Sequence, residues 1–142
     1  MPADGRDGVD LETWARAQDG RDRLARTLGI ELLEITAERV RVAMTVTEAM
    51  LNAHGMCHGG VIFSLADCGF YYACNSGGVA SVAAGCDINY VRPARLGERL
   101  EAIVRERSRS RRSGLYDAEI RNADGQLVAV MSGRAMAVAP GS

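Results

Sequence analysis

Asp67 stands inside the most apolar stretch of the chain, VIFSLADCGFYYAC at residues 61–74, and that stretch is entered through His58, Gly59 and Gly60. A carboxylate in a partly desolvated position holds its proton more tightly than one in water, and it can act as a general base or as a nucleophile. A helix that begins at two glycines presents unpaired backbone amides, backed by the helix dipole, to whatever lies in front of it. Glycines also let a reacting group come close to the backbone. Such a start is suited to a carbonyl oxygen that gains negative charge in a tetrahedral transition state. The plain alternative is a buried aspartate held by hydrogen bonds beneath an ordinary helix cap.

Spacing separates these two groups. Asp67 lies seven residues beyond Gly60, which at ~1.5 Å per residue puts it about 10 Å further along the same helix. Reacting groups must meet within about 3–3.5 Å. One chain's glycine amides and its own Asp67 therefore cannot hold one carbonyl and its attacking water. A second helix, antiparallel to the first, brings its Asp67 to the first helix's N-terminus, and symmetry makes two equivalent sites. The residues thus predict a dimer with shared sites.

The elements that must position these groups follow from periodicity. Residues 61–74 are apolar around most of a helical circumference, which marks a buried helix. Residues 10–28 carry Leu11, Trp14, Leu24 and Leu28 among charges, the pattern of one or two short covering helices with a break near Asp19 and Gly20. From Ile30 the period becomes two: ELLEI and RVRVAMTV read as strands joined near Ala37 and Glu38, with Val40, Val42, Met44 and Val46 on one face. After the helix come VASVAAGCDINYVRP, ERLEAIVRERS, GLYDAEIRN and QLVAVMSGRAMAV, with Asp124-Gly125 as a hairpin turn between the last two. The fold class is α+β, an antiparallel sheet of five or six strands interrupted once by a long buried helix, its last strands a meander. An open sheet leaves edges, and a helix apolar all round needs cover on the side away from the sheet; self-association meets both needs.

Composition narrows the partners. The 142 residues, 47% of them apolar, fit one domain spanning residues 1–142 with the N-terminal helical segment at about 1–28. A formal net charge of −1, with both signs interspersed, disfavours nucleic acid and membrane surfaces. The N-terminal MPADGRDGVD has no signal-peptide core and no later run approaches membrane-spanning length, so a soluble, cytoplasmic chain is expected. Cys57, Cys68, Cys74 and Cys86 show neither a C-x-x-C pair nor zinc-like spacing and read as reduced structural thiols.

Other groupings carry less. His54 and His58, with Cys57 between them, fall short of a metal's ligand count, and the glycines of their loop oppose a regular helix; no metal is expected. RERSRSRR, with five arginines in eight residues, reads as a solvated strand end, although its arginines, or Arg92, Arg95 and Arg99, are candidates for phosphate contacts. Phe70, Tyr71 and Tyr72 either line an aromatic pocket or belong to the core.

TVTEAMLN, CHGGVIFSLAD, YYACNSGG, DINYVRPARLGERL and GLYDAEIRNADGQLVAVMSG, in this order over about residues 29–138, resemble the hotdog-fold acyl-CoA thioesterases, in particular the branch associated with bacterial phenylacetate degradation. The resemblance implies a curved antiparallel sheet wrapped around one long helix. It also implies hydrolysis of acyl-CoA, phenylacetyl-CoA or a ring-hydroxylated relative, without a cofactor. By position it implies Asp67 as the catalytic carboxylate, the amides near Gly59 and Gly60 as polarising the thioester carbonyl, and Asn52 and His58 as orienting the water, the carbonyl or the leaving sulfur. Pairing of protomers, often as dimers of dimers, is implied too. Fold does not fix reaction, so a hotdog hydratase or isomerase and a non-catalytic acyl-CoA sensor stand as alternatives.

Overall fold

The computed structural model describes residues 10–18 and 20–138. Asp19, placed near the helix break by sequence, and the chain ends at residues 1–9 and 139–142 lie outside them. The elements in chain order are α1 (Leu11–Gln18), α2 (Arg23–Leu28), β1 (Glu31–Ile35), β2 (Val40–Thr45), a single 3-10 turn (Glu48–Met50), α3 (Gly59–Asn75), β3 (Ser81–Tyr90), β4 (Arg99–Arg109), β5 (Ser113–Asn122) and β6 (Leu127–Ala137). The six strands form one antiparallel sheet in the order β1-β2-β4-β5-β6-β3.

Local chemistry fixes the ends of these elements. Asp10 caps α1 through the Thr13 amide at 3.1 Å, and Asp22 caps α2 through the Ala25 amide at 3.0 Å. α2 ends at Gly29, whose φ of 70° is left-handed, with the Ile30 amide donating back to the Ala25 carbonyl. At the β5–β6 hairpin the Asn122 side-chain oxygen accepts from the Asp124 and Gln126 amides, and Gly125 takes a φ of 80°.

α3 touches all six strands. Six strands at about 4.8 Å spacing are roughly twice as wide as a helix, so the sheet must wrap its inner face around α3. Register shifts in β1, β3, β4 and β5–β6 supply the bends. The face predicted for β2 is buried: Val40, Val42, Met44 and Val46 share one core with Leu65, Leu100, Val104 and Ile120. Burial pushes the thiols of Cys57 and Cys74 up to about 11 and about 12, and all four cysteines are free. A long helix cradled by an antiparallel sheet is the α+β hotdog arrangement.

Two glycines allow the close approach of helix and sheet. A Cβ on Gly69 would stand 2.8 Å from Val104 Cγ2, and one on Gly133 would stand 2.1 Å from Phe70 Cε2. Phe70 has little room to yield, since its ring packs against Tyr116 at a centroid distance of 5.3 Å. Gly133→Ala is therefore expected to destabilise the fold by about 1–3 kcal/mol, read as a shift in the urea midpoint at unchanged slope.

Candidate active site

α3 begins at Gly59, where the sequence places the helix start, and both glycines are helical. His58 is its cap: the imidazole Nδ1 accepts from the Gly60 amide at 3.3 Å. An accepting Nδ1 leaves the proton of the neutral ring on Nε2, which is then a donor. The Val61 and Ile62 amides both donate to the His58 carbonyl. Among the described residues nothing accepts from the Gly59 amide. The two glycines, equivalent in sequence, thus differ in the structure: one amide is capped and the other is open.

The loop before α3 is rigidly tied. The Asn52 side-chain oxygen accepts from the His54 amide at 2.9 Å and the Met56 amide at 3.2 Å. The Cys57 amide donates to the Ala94 carbonyl, and the His58 amide to the Met50 carbonyl, each at 2.8 Å. Asn52 therefore spends its carbonyl on the loop and keeps its Nδ2 as a donor. A residue that sequence reading passed over completes this end of the site. The Tyr90 hydroxyl on β3 donates to the Gly59 carbonyl at 2.7 Å, fixing the peptide that follows the open amide.

Asp67 sits two turns further on, half-buried, with no hydrogen bond or ion pair to any described residue. Burial, and then the negative charge of Asp22, raise its pKa above the usual carboxylate range. Eight residues separate it from Gly59, about 12 Å of helix at ~1.5 Å per residue. The structure thus brings Asn52, His58, Gly59 and Gly60 together at the helix start and leaves Asp67 apart from them within one chain.

A cavity of about 180 Å³ lies beside Asp67, lined also by Ser64, Cys68 and Tyr71 of α3 and by Asp22, Leu24, Ala25 and Ile30. The N-terminal segment, which carries no functional motif, forms a wall of this cavity. Of the three candidate aromatics only Tyr71 lies here. Phe70 and Tyr72 are core, because the helical period turns them toward the sheet and toward Trp14.

The candidate phosphate-binding arginines also divide. Arg99 is paired with Glu31 at 3.0 Å, Arg107 with Asp117 at 2.8 Å and Arg109 with Glu106 at 3.4 Å. Arg92, Arg95, Arg105, Arg111 and Arg112 make no side-chain contact of this kind among the described residues. Arg95 lies beside the glycine loop, bridged to Met56 through the backbone.

Known proteins give the same picture from outside. Residues 54–129 match the thioesterase superfamily. The acyl-coenzyme A thioesterase PaaI of Escherichia coli is 43% identical over 120 residues, covering 84% of this chain and 86% of that protein. A solved structure of E. coli PaaI, from the phenylacetic acid degradation operon, superposes with a TM-score of 0.88 at 40% identity, covering 91% of this chain and 94% of the other. The smu.793 protein of Streptococcus mutans, solved bound to acetyl-CoA, gives a TM-score of 0.74 at 27% identity over 77% of this chain and 88% of its own. With the sequence, the hotdog architecture and these relatives in agreement, the chain belongs to the thioesterase superfamily, in the branch that contains PaaI.

Proposed function

We propose that this thioesterase hydrolyses acyl-CoA thioesters to the free acid and coenzyme A. In this reading the Gly59 amide polarises the carbonyl, and Asp67 of a second protomer serves as general base or nucleophile. One observation carries the reading: the open amide and the unpartnered carboxylate are each built for the reaction yet stand about 12 Å apart along one helix. The Nε2–H of His58 and the Nδ2 of Asn52 are donors at the same helix start, available to orient the water, the carbonyl or the leaving sulfur.

A second copy has a place to dock. β3 is an edge strand, exposed on both faces, with Val82 52% and Tyr90 50% accessible and Asp87 as its one charge. A long, nearly uncharged edge is a template for pairing. Antiparallel pairing of two such edges about a two-fold axis sets the two α3 helices side by side in opposite directions, through the outward stripe of Gly60, Ser64, Asp67 and Tyr71. A dimer of dimers, in line with the resemblance, is the proposed assembly.

Substrate class rests on the relatives: the phenylacetic acid degradation context of E. coli PaaI supports phenylacetyl-CoA or a ring-hydroxylated relative, and the acetyl-CoA held by the S. mutans protein supports the coenzyme. Arg95, bridged to the glycine loop, and Arg92 three residues before it, both without an ion pair among the described residues, are the proposed contacts for its phosphates. No helix of the described residues is long and apolar enough to cross a membrane, and a cytoplasmic location is proposed with the substrate. The test is thiol release from a panel of acyl-CoAs, aryl-acetyl through medium aliphatic. Tight binding without release would instead mark an acyl-CoA sensor.

The raised pKa of Asp67 makes a further prediction. Asp22→Asn retains a capping oxygen for α2 and removes the nearby negative charge. The Asp67 anion is then less disfavoured, so its pKa falls. The acid limb of the kcat profile is expected to move to lower pH, while burial keeps it above the ordinary carboxylate value. An unmoved limb would separate Asp22 from the titration.

A further inference from the structure

Resting on the assignment of Asp67 above, we infer that α2 is the wall that limits the size of the acyl group, and that Leu24 is its selective residue. The cavity beside Asp67 is closed on one side by α3, through Cys68 and Tyr71, and on the other by Leu24, Ala25 and Ile30 of the N-terminal segment. Leu24 is 56% exposed although it borders this cavity, so it contributes an apolar surface that the core does not use. At about 180 Å³ the space is close in volume to the ~150 Å³ cavity that accepts a benzene molecule, with Leu24, Ala25, Ile30 and the Tyr71 ring as its apolar part and Asp22, Ser64 and Asp67 as its polar part. That volume suits one aromatic ring, whereas a medium-length linear chain entering on this side runs up against Leu24.

The wall is held in place at several points. Asp22 and Gly29 fix the two ends of α2, and the Ile30 amide closes its last turn on Ala25. The Tyr71 hydroxyl donates to the Gln18 side chain at 3.2 Å, and Trp14 meets Tyr72 edge-on at 6.4 Å, so the end of α1 is tied to α3 beside Asp67. α2 itself also packs on α3, and a wall seated on the helix that carries the carboxylate keeps a constant distance from it, which is what discrimination by size requires.

The experiment compares kcat/KM for phenylacetyl-CoA, acetyl-CoA and octanoyl-CoA in the full chain and in Leu24→Trp and Leu24→Ala. Leu24→Trp is expected to lower the phenylacetyl-to-acetyl ratio by about tenfold or more, and Leu24→Ala to raise the octanoyl-to-phenylacetyl ratio several-fold, about what a few methylenes of pocket are worth. Should Leu24→Trp fail to fold, Leu24→Ala decides alone. Unchanged ratios in active variants overturn the inference and leave the thioesterase reading standing. An equal rise in KM for all three substrates also overturns it, since α2 would then contact the coenzyme. A wild-type chain that releases thiol from none of them overturns both.

Discussion

Asp67→Asn is expected to lower thiol release from acyl-CoA by at least ~100-fold, the range for removing a positioned acid or base. The amide keeps the size and shape of the side chain and removes its ability to take a proton or attack the carbonyl. The same substitution is expected to raise Tm at neutral pH. Burial disfavours the charged carboxylate, so its folded pKa lies above its unfolded one. A group of this kind favours the fold most below its unfolded pKa, and that contribution is lost as pH rises through the folded pKa. Asparagine removes the penalty, so the gain in Tm over wild type should be full at neutral pH and vanish in acid. Activity assays and thermal melts across pH read both effects. Full activity in the variant would end the assignment of Asp67, and lost activity with a lower Tm at neutral pH would make the carboxylate structural.

Mixing two inactive variants is expected to restore activity. A side chain on Gly60 starts without a clash inside its own chain, because a Cβ there meets nothing closer than His58 Nδ1 at 3.6 Å. Gly60→Phe puts a ring before the helix start, and because Gly60 also lies on the stripe where the two helices are proposed to meet, the dimeric state of this variant is measured first. In a heterodimer of this chain with an Asp67→Asn chain, one site combines both lesions and the other combines an intact helix start with an intact Asp67. Random exchange makes half of the dimers heterodimers, so recovery approaches about a quarter of wild-type activity from two nearly silent parents. If both site elements came from one chain, every site in the heterodimer would be damaged and nothing would return. Differently tagged chains, purified through both tags, establish that the heterodimers tested have formed.

Much of the architecture was legible because burial leaves a periodic trace. Val40, Val42, Met44 and Val46 alternate since a half-buried strand alternates, and residues 61–74 are apolar all round since the sheet wraps the helix they form. The Asp124-Gly125 hairpin was legible from turn chemistry alone. Asp67 stood out for the converse reason, as a charge where the pattern requires an apolar residue.

What sequence by itself determined was the chemistry available: a carboxylate in an apolar helix, a helix entered through glycines, and a fixed separation of about 10 Å between Asp67 and Gly60 that one chain cannot close. Tertiary structure decided which atoms remain free for that chemistry. His58 caps Gly60 and leaves Gly59 open, Tyr90 reaches Gly59 from 31 residues away, and α2 comes to stand beside Asp67 across more than 40 positions of chain. Spacing along one helix is set by covalent geometry and can be counted. Which hydrogen bonds are already taken, and which distant segment forms a wall, depends on how the sheet folds around that helix, and no local pattern records it.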